Sequence, residues 1–182
     1  MTDDINAFRQ SLDSGFAAMT AQAAQPITAD EISRVEDPEL LVDRVTLRLL
    51  TRYGWHEWPD ADIAEVHRRW LAIDALESEW ANGGLAQFVM NQGDAVEQVL
   101  AWAVDGYLMI GEREMAELAR QLLRSVESEH AIRSDITTMP DARDRYDAYL
   151  ARTQVTAFDD GVAPTPFSRA SFVRTHPSNF VG

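Results

Sequence analysis

The chain has 182 residues, of which 46% are hydrophobic and 9% aromatic, and it contains no cysteine. This length and apolar content predict one folded domain and exclude a disordered acidic chain, while the lack of cysteine excludes disulfides, thiolate zinc sites and cysteine nucleophiles. The formal net charge of −14 opposes contact with nucleic acid or anionic membranes and favours a basic protein partner, although an acidic surface also simply keeps many proteins soluble.

The first 28 residues contain an apolar stripe at spacings of three and four, which predicts an amphipathic helix or arm. Acids near the N-terminus and the lack of a long apolar run predict a soluble, cytoplasmic protein. The stripe could dock on the core, pair with another subunit or form a mobile arm. The stripe consists of Ile5, Phe8, Leu12, Phe16 and Met19.

Residues 29–182 are predicted to form a helical domain, beginning with an acidic connector at residues 30–37. Asp37 is a favourable N-cap and Pro38 a favourable first residue for a helix that runs to about Arg52. In the loop that follows, Trp55 and Trp58 could stack on a ligand, but a tryptophan beside a proline more often closes the edge of a core.

No metal site is predicted in this loop. His56 and Glu57, with Glu65 and His67 further on, only superficially resemble a zinc set. The His-Glu-x-x-His pattern needs its second histidine one turn along the same helix, and here a proline and a loop intervene.

Further helices are predicted at about residues 62–81, 96–107, 112–126, 141–150 and 165–174 from apolar spacings of three and four. The first of them includes a possible ion pair between Glu65 and Arg69. Gly111 separates the second helix, expected to be central and buried, from the third. No stretch alternates like a strand, so the predicted fold is all-α: a compact multi-helix single domain with short helix-helix connections.

Between the helices at 62–81 and 96–107 lies a hinge, residues 82–91, with the sequence Asn-Gly-Gly-Leu-Ala-Gln-Phe-Val-Met-Asn. Asn82 or Gly83 could adopt the left-handed conformation that ends the first helix, and Gly84 could let a short second helix begin. Gln87 and Asn91 then lie one turn apart and could pin the hinge by hydrogen bonds, with Phe88 in the core. A phosphate loop is excluded because no strand or lysine accompanies the glycines.

The run from Ala75 to Gly93, followed by two helices divided at Gly111, resembles the family of DNA mimic protein 19, over about residues 62–150. Leu85 and Val89 stand where the family has aromatic residues. The resemblance implies an all-helical fold, dimerisation and a role as a double-stranded-DNA mimic that occupies the DNA-binding surface of a transcription regulator. The signature positions that match, expected to be structural, are Asn82, Gly83, Gly84, Gln87, Phe88 and Asn91.

The leading hypothesis is therefore a non-enzymatic protein, without cofactor, that binds a basic DNA-binding protein through surface acids. The sequence contains no recognisable catalytic motif. Pairs of carboxylates do not indicate acid-base catalysis here, because in so acidic a chain they occur almost anywhere. The alternatives are an immunity-type protein that neutralises a basic toxin, and a ligand-binding or enzymatic domain with a pocket near the hinge. The candidate partner-binding acids are Asp60, Asp62, Glu65, Asp141, Asp144 and Asp147.

Overall fold

The structure, a computed structural model, describes residues 21, 23–55, 58, 59, 61–128 and 165–182. Every regular element in these residues is helical, which confirms the all-α prediction. Two 3₁₀ turns lie at Gly93–Ala95 and Pro177–Asn179. The helices, numbered here in chain order, are α1 (Ala29–Arg34), α2 (Pro38–Tyr53), α3 (Glu65–Gln92), α4 (Val96–Ile110), α5 (Arg113–Ser128) and α6 (Pro166–Thr175).

The chain divides into two compact units. Unit 1 combines Met1–Asp62 with Arg169–Gly182, and unit 2 is the continuous stretch Ile63–Ser168. None of the described helices is both long enough and apolar enough to cross a membrane. The predicted arm at residues 1–28 falls mostly outside the described residues, and so does the predicted helix at 141–150.

Unit 1 is organised around α2. The helix begins as predicted, because the Asp37 side chain accepts hydrogen bonds from the backbone N–H groups of Glu39 at 2.9 Å and Leu40 at 3.3 Å. Its inward residues Leu41, Val45 and Leu49 are buried. These side chains supply much of the core of unit 1.

The prediction of an acidic connector at residues 30–37 is wrong, because most of these residues form α1. Thr28 caps this helix by accepting a hydrogen bond from the N–H of Glu31 at 3.1 Å. Ile32 is buried and anchors the helix to the core. In so short a helix, this one apolar residue gave no periodic pattern to detect.

Unit 2 is built on α3, α4 and α5, with α4 in contact with both neighbours. The central, buried position predicted for α4 is confirmed, since seven of its 15 residues are buried. Gly106 allows α4 to lie very close to α3: a Cβ atom there would come within 2.7 Å of the Arg69 carbonyl oxygen and 2.9 Å of the Ile73 side chain. Helix α4 ends at Gly111, as predicted, and α5 follows after a short turn.

Candidate functional site

The hinge is a sharp bend within α3. Residues on both sides are helical, and of the two glycines there Gly84 alone has a positive φ, +71°. The prediction that Asn82 or Gly83 takes the left-handed conformation is therefore wrong by one or two residues. The predicted break near Ala81 is likewise replaced by a bend, because a single left-handed glycine redirects the helix without ending it.

Two side-chain hydrogen bonds that cross Gly84 show that the bend is sharp. The Gln87 amide donates to Glu79 Oε2 at 2.9 Å, and the Asn91 amide donates to the same oxygen at 2.6 Å. In a straight helix, separations of eight and twelve residues span about 12 and 18 Å. The separation of about 18 Å exceeds the combined reach of the Glu79 and Asn91 side chains, so the segment after Gly84 must turn back alongside the segment before it.

The hinge residues are thus committed to the fold. Phe88 has no exposed surface and Val89 is buried, while Gln87 and Asn91 direct their amides to Glu79. Gln87 and Asn91 do form hydrogen bonds, but to Glu79 and not to the chain between the helices, and Asn91 is exposed, so they are not the buried amide pair expected at the hinge. This use of the polar groups accounts for the hinge as a structural element.

Acid residues cluster in the sequence of α3 and α4. Residues 70–112 contain seven Asp or Glu and no Arg or Lys. Their net charge is therefore −7, half of the net charge of the whole chain. The rest of unit 2 has eleven acids and nine arginines, which nearly balance. The acid excess of unit 2 therefore belongs to the helices on either side of the hinge.

Three of these seven acids accept hydrogen bonds from neutral side chains. Besides Glu79, Glu77 accepts from Thr165 at 2.8 Å and from Tyr107 at 3.3 Å, and Glu112 accepts from Ser168. Neutral donors orient a carboxylate without cancelling its charge. These glutamates consequently hold α3, α4 and the start of α6 in place while keeping the segment acidic.

Two other acids of the segment, Asp94 and Asp105, are exposed. Asp94 makes no ion pair with any described residue. Asp105 is 54% exposed and lies 3.7 Å from Arg69, which also contacts Glu65 at 3.0 Å. Arg69 thereby brings a carboxylate of α3 and one of α4 together at the surface.

Of the six acids predicted to bind a partner, the structure describes Asp62 and Glu65, and both are exposed. The predicted ion pair of Glu65 with Arg69 is confirmed, and it offsets part of the charge of that candidate. The other four candidates lie outside the described residues: Asp60, Asp141, Asp144 and Asp147. Sequence reasoning missed Asp94 and Asp105, although the run of 43 residues without a basic side chain could have revealed them.

The loop tryptophans separate into two environments. Trp58 is 4% exposed, in agreement with the predicted role at the edge of a core, whereas Trp55 is 56% exposed. His56 and Glu57 are not among the described residues, and His67 is buried. Within the described ranges no group of three or more His, Asp or Glu side chains is placed to hold a metal ion.

The described part of the molecule is thus all-helical. It has a bent α3 with hydrogen bonds across the bend, and an acidic α3–α4 segment, residues 70–112. The model of the DMP19-like protein family matches residues 61–168, which is more than half of the chain. The chain therefore belongs to the DMP19-like protein family. The matched region agrees within two residues with unit 2, Ile63–Ser168. No curated protein and no solved structure gives a match.

Proposed function

We propose that this protein is a non-enzymatic DNA mimic that binds a basic, DNA-binding regulator and keeps it from DNA. The observation that carries the proposal is the net charge of −7 over residues 70–112, inside the region that matches the family model. Carboxylates without interspersed basic residues present the same sign of charge to a partner as a phosphate backbone does.

The proposed contact surface includes two exposed acids of unit 2, Asp94 and Asp105. Asp94 precedes α4, and Asp105 lies in its second half near Glu65. Asp62, the last residue of unit 1 before Ile63, is also exposed and is a separate candidate. A homodimer, which the family resemblance implies, would present this set twice. The proposal includes a cytoplasmic location, where a DNA-binding regulator would meet its mimic.

The packing of the hinge favours this proposal over a ligand-binding or enzymatic domain. A pocket beside Gln87 would need free polar groups there, but its amide is bonded to Glu79 and the adjacent Phe88 is fully buried. An immunity-type protein would use the same acids against a toxin. The partner captured in the experiment below separates these two functions.

The first test identifies the partner and asks whether it competes with DNA. Immobilised protein is exposed to an extract of its own source cells, bound proteins are eluted with a salt gradient, and each is identified by mass spectrometry. The purified partner is then bound to fluorescent duplex DNA, and this protein is titrated in while anisotropy is recorded. We expect stoichiometric displacement of DNA that weakens steeply with salt. Simultaneous binding of DNA and this protein to the partner would refute mimicry.

A second test locates the surface with two variants of equal charge. The double variant Asp94→Asn, Asp105→Asn removes two exposed acids of unit 2, and Glu36→Gln, Glu39→Gln removes two exposed acids of unit 1. We expect the unit 2 variant to bind its partner roughly 3- to 30-fold more weakly, from the usual strength of exposed charge pairs. The unit 1 variant should bind as the wild type does. Equal losses would indicate that net charge alone drives binding.

A third variant, Asp62→Asn, Glu65→Gln, tests the two described acids that the sequence had singled out. Because Glu65 lies closer to Arg69, at 3.0 Å, than Asp105 does, at 3.7 Å, we expect a smaller loss than in the Asp94 and Asp105 variant. Each variant is first checked by circular dichroism, so that a loss of folding is not mistaken for a loss of contact.

A further inference from the structure

The bend of α3 depends on very few interactions that are local to it. Gly84 supplies the positive φ of +71°, and Glu79 receives the amides of Gln87 and Asn91. The residues before and after Gly84 are already helical. A change of Gly84 to a helical φ would therefore convert α3 into one straight helix of 28 residues, about 42 Å long.

Such a straightening cannot occur alone within one molecule without loss of the core of unit 2. The contacts that cross the bend join the first half of α3 to α4: Ile73 packs against Gly106, and Glu77 accepts a hydrogen bond from Tyr107. Ile73 and Tyr107 have no exposed surface. Separating α4 from the first half of α3 would expose both side chains to water.

We propose that Gly84 is a hinge through which two copies of this chain exchange the second half of α3, α4 and the residues that follow. In the exchanged dimer each α3 is straight, and the first half of each α3 packs on α4 of the other copy. The contacts of Ile73 with Gly106 and of Glu77 with Tyr107 are then remade between chains, and the bonds of Glu79 to Gln87 and Asn91, which also cross Gly84, can be remade in the same way. Reciprocal exchange of this kind is a low-cost route to a dimer.

Position 84 offers an unusually clean test, because a Cβ atom added to Gly84 meets nothing within 4 Å. A substitution there acts through the backbone conformation alone. Alanine strongly disfavours positive φ and favours a helix, whereas asparagine tolerates the left-handed region. Gly84→Ala should therefore favour the exchanged dimer, and Gly84→Asn is the matched control. The left-handed penalty for alanine corresponds to about tenfold at each hinge.

The experiment detects which chain supplies α4. The natural chain has no cysteine, so one preparation carries Arg69→Cys and the other Asp105→Cys. These side chains lie 3.7 Å apart across α3 and α4. The two preparations are unfolded together, refolded and treated with a short bis-maleimide. A covalent heterodimer on a denaturing gel forms when α3 of one chain lies on α4 of the other. A single chain with both cysteines confirms that the reagent spans the pair.

We expect the covalent heterodimer to increase about tenfold in Gly84→Ala relative to Gly84→Asn. A dimer that forms by surface contact leaves each α3 on its own α4 and gives no such product. Equal heterodimer yields in Gly84→Ala and Gly84→Asn would overturn the proposal. So would a Gly84→Ala protein that loses its helical circular dichroism without cross-linking between chains.

Discussion

Units 1 and 2 use their arginines in different ways. In unit 1, arginines bind main-chain carbonyl groups from distant parts of the sequence: Arg174 donates to the carbonyl oxygens of Val35 and Glu36 at 2.7 and 3.0 Å, and Arg48 donates to that of Gly182 at 3.2 Å. In unit 2, residues 70–112 contain no arginine; three of their carboxylates accept from neutral side chains, while Asp105 lies 3.7 Å from Arg69. Basic residues thus join the two segments of unit 1, whereas their absence from residues 70–112 leaves that part of unit 2 acidic.

This difference matches the division made by the family model. The matched residues 61–168 correspond to unit 2, and unit 1 consists of the sequence on either side of that match. Since the family match and the acid excess coincide on α3 and α4, unit 2 is the part in which we place partner binding. Unit 1 should contribute to stability more than to recognition.

Removal of a large core side chain from each unit gives the largest effects. Trp70→Ala in unit 2 and Leu41→Ala in unit 1 each remove a side chain with no exposed surface. We expect losses in unfolding free energy of about 3–5 and 2–5 kcal/mol, respectively. Urea denaturation measures the loss, and hydrogen exchange should show that protection falls first in the unit that carries the substitution. A uniform fall in protection would contradict the two-unit description.

The close approach of α3 and α4 predicts the next largest effect. A glycine in a helix is usually improved by alanine, by about 0.5–1 kcal/mol. At Gly106 the sign should reverse, because the new methyl group would meet the Arg69 carbonyl and the Ile73 side chain. We expect Gly106→Ala to lose about 1–3 kcal/mol in urea denaturation. Gln98→Ala, at an exposed position of the same helix, is the control and should change little.

In unit 1, the cap of α2 predicts a moderate effect. Asp37→Ala removes the acceptor for the N–H groups of Glu39 and Leu40, and we expect a loss of about 1 kcal/mol. Asp37→Asn keeps a side-chain oxygen at that position and should retain most of the stability. Similar losses in both variants would show that the negative charge near the helix N-terminus, and not the cap hydrogen bond, is responsible.

Sequence alone predicted α2 and α4 well, because each combines a clear apolar period with a terminal signal: Asp37 and Pro38 for α2, and Gly111 for α4. It placed the hinge within two residues but not its geometry. The contact of Glu79 with Gln87 and Asn91 spans eight and twelve residues, separations that bring side chains together only once a bend exists. Nor did any local pattern show that Gly106 lies against Arg69.

The smallest effect on stability that we predict comes from the ion pairs of α5. This helix of unit 2 carries arginines, unlike the acidic α3–α4 segment. Glu117 accepts hydrogen bonds from Arg124 at 3.0 Å and from Arg120 at 2.6 Å. These arginines lower the pKa of the Glu117 carboxyl below its usual 4.5. Because the folded pKa is the lower one, the stabilisation is complete above pH 4.5 and is lost as the pH falls through the folded value.

Glu117→Gln should consequently destabilise the protein slightly near neutral pH and have no effect at a pH below the folded pKa of Glu117. The group is exposed, so added salt should also reduce the difference between wild type and variant. Thermal denaturation of wild type and variant, at neutral pH and at a pH below the folded pKa and at two salt concentrations, measures this difference in stability. The control is Glu114→Gln on the same helix, since Glu114 makes no ion pair with a described residue. If both variants lose stability equally at neutral pH, the arginine contacts of Glu117 contribute nothing in solution, and the outer face of α5 has no ordered ion pairs.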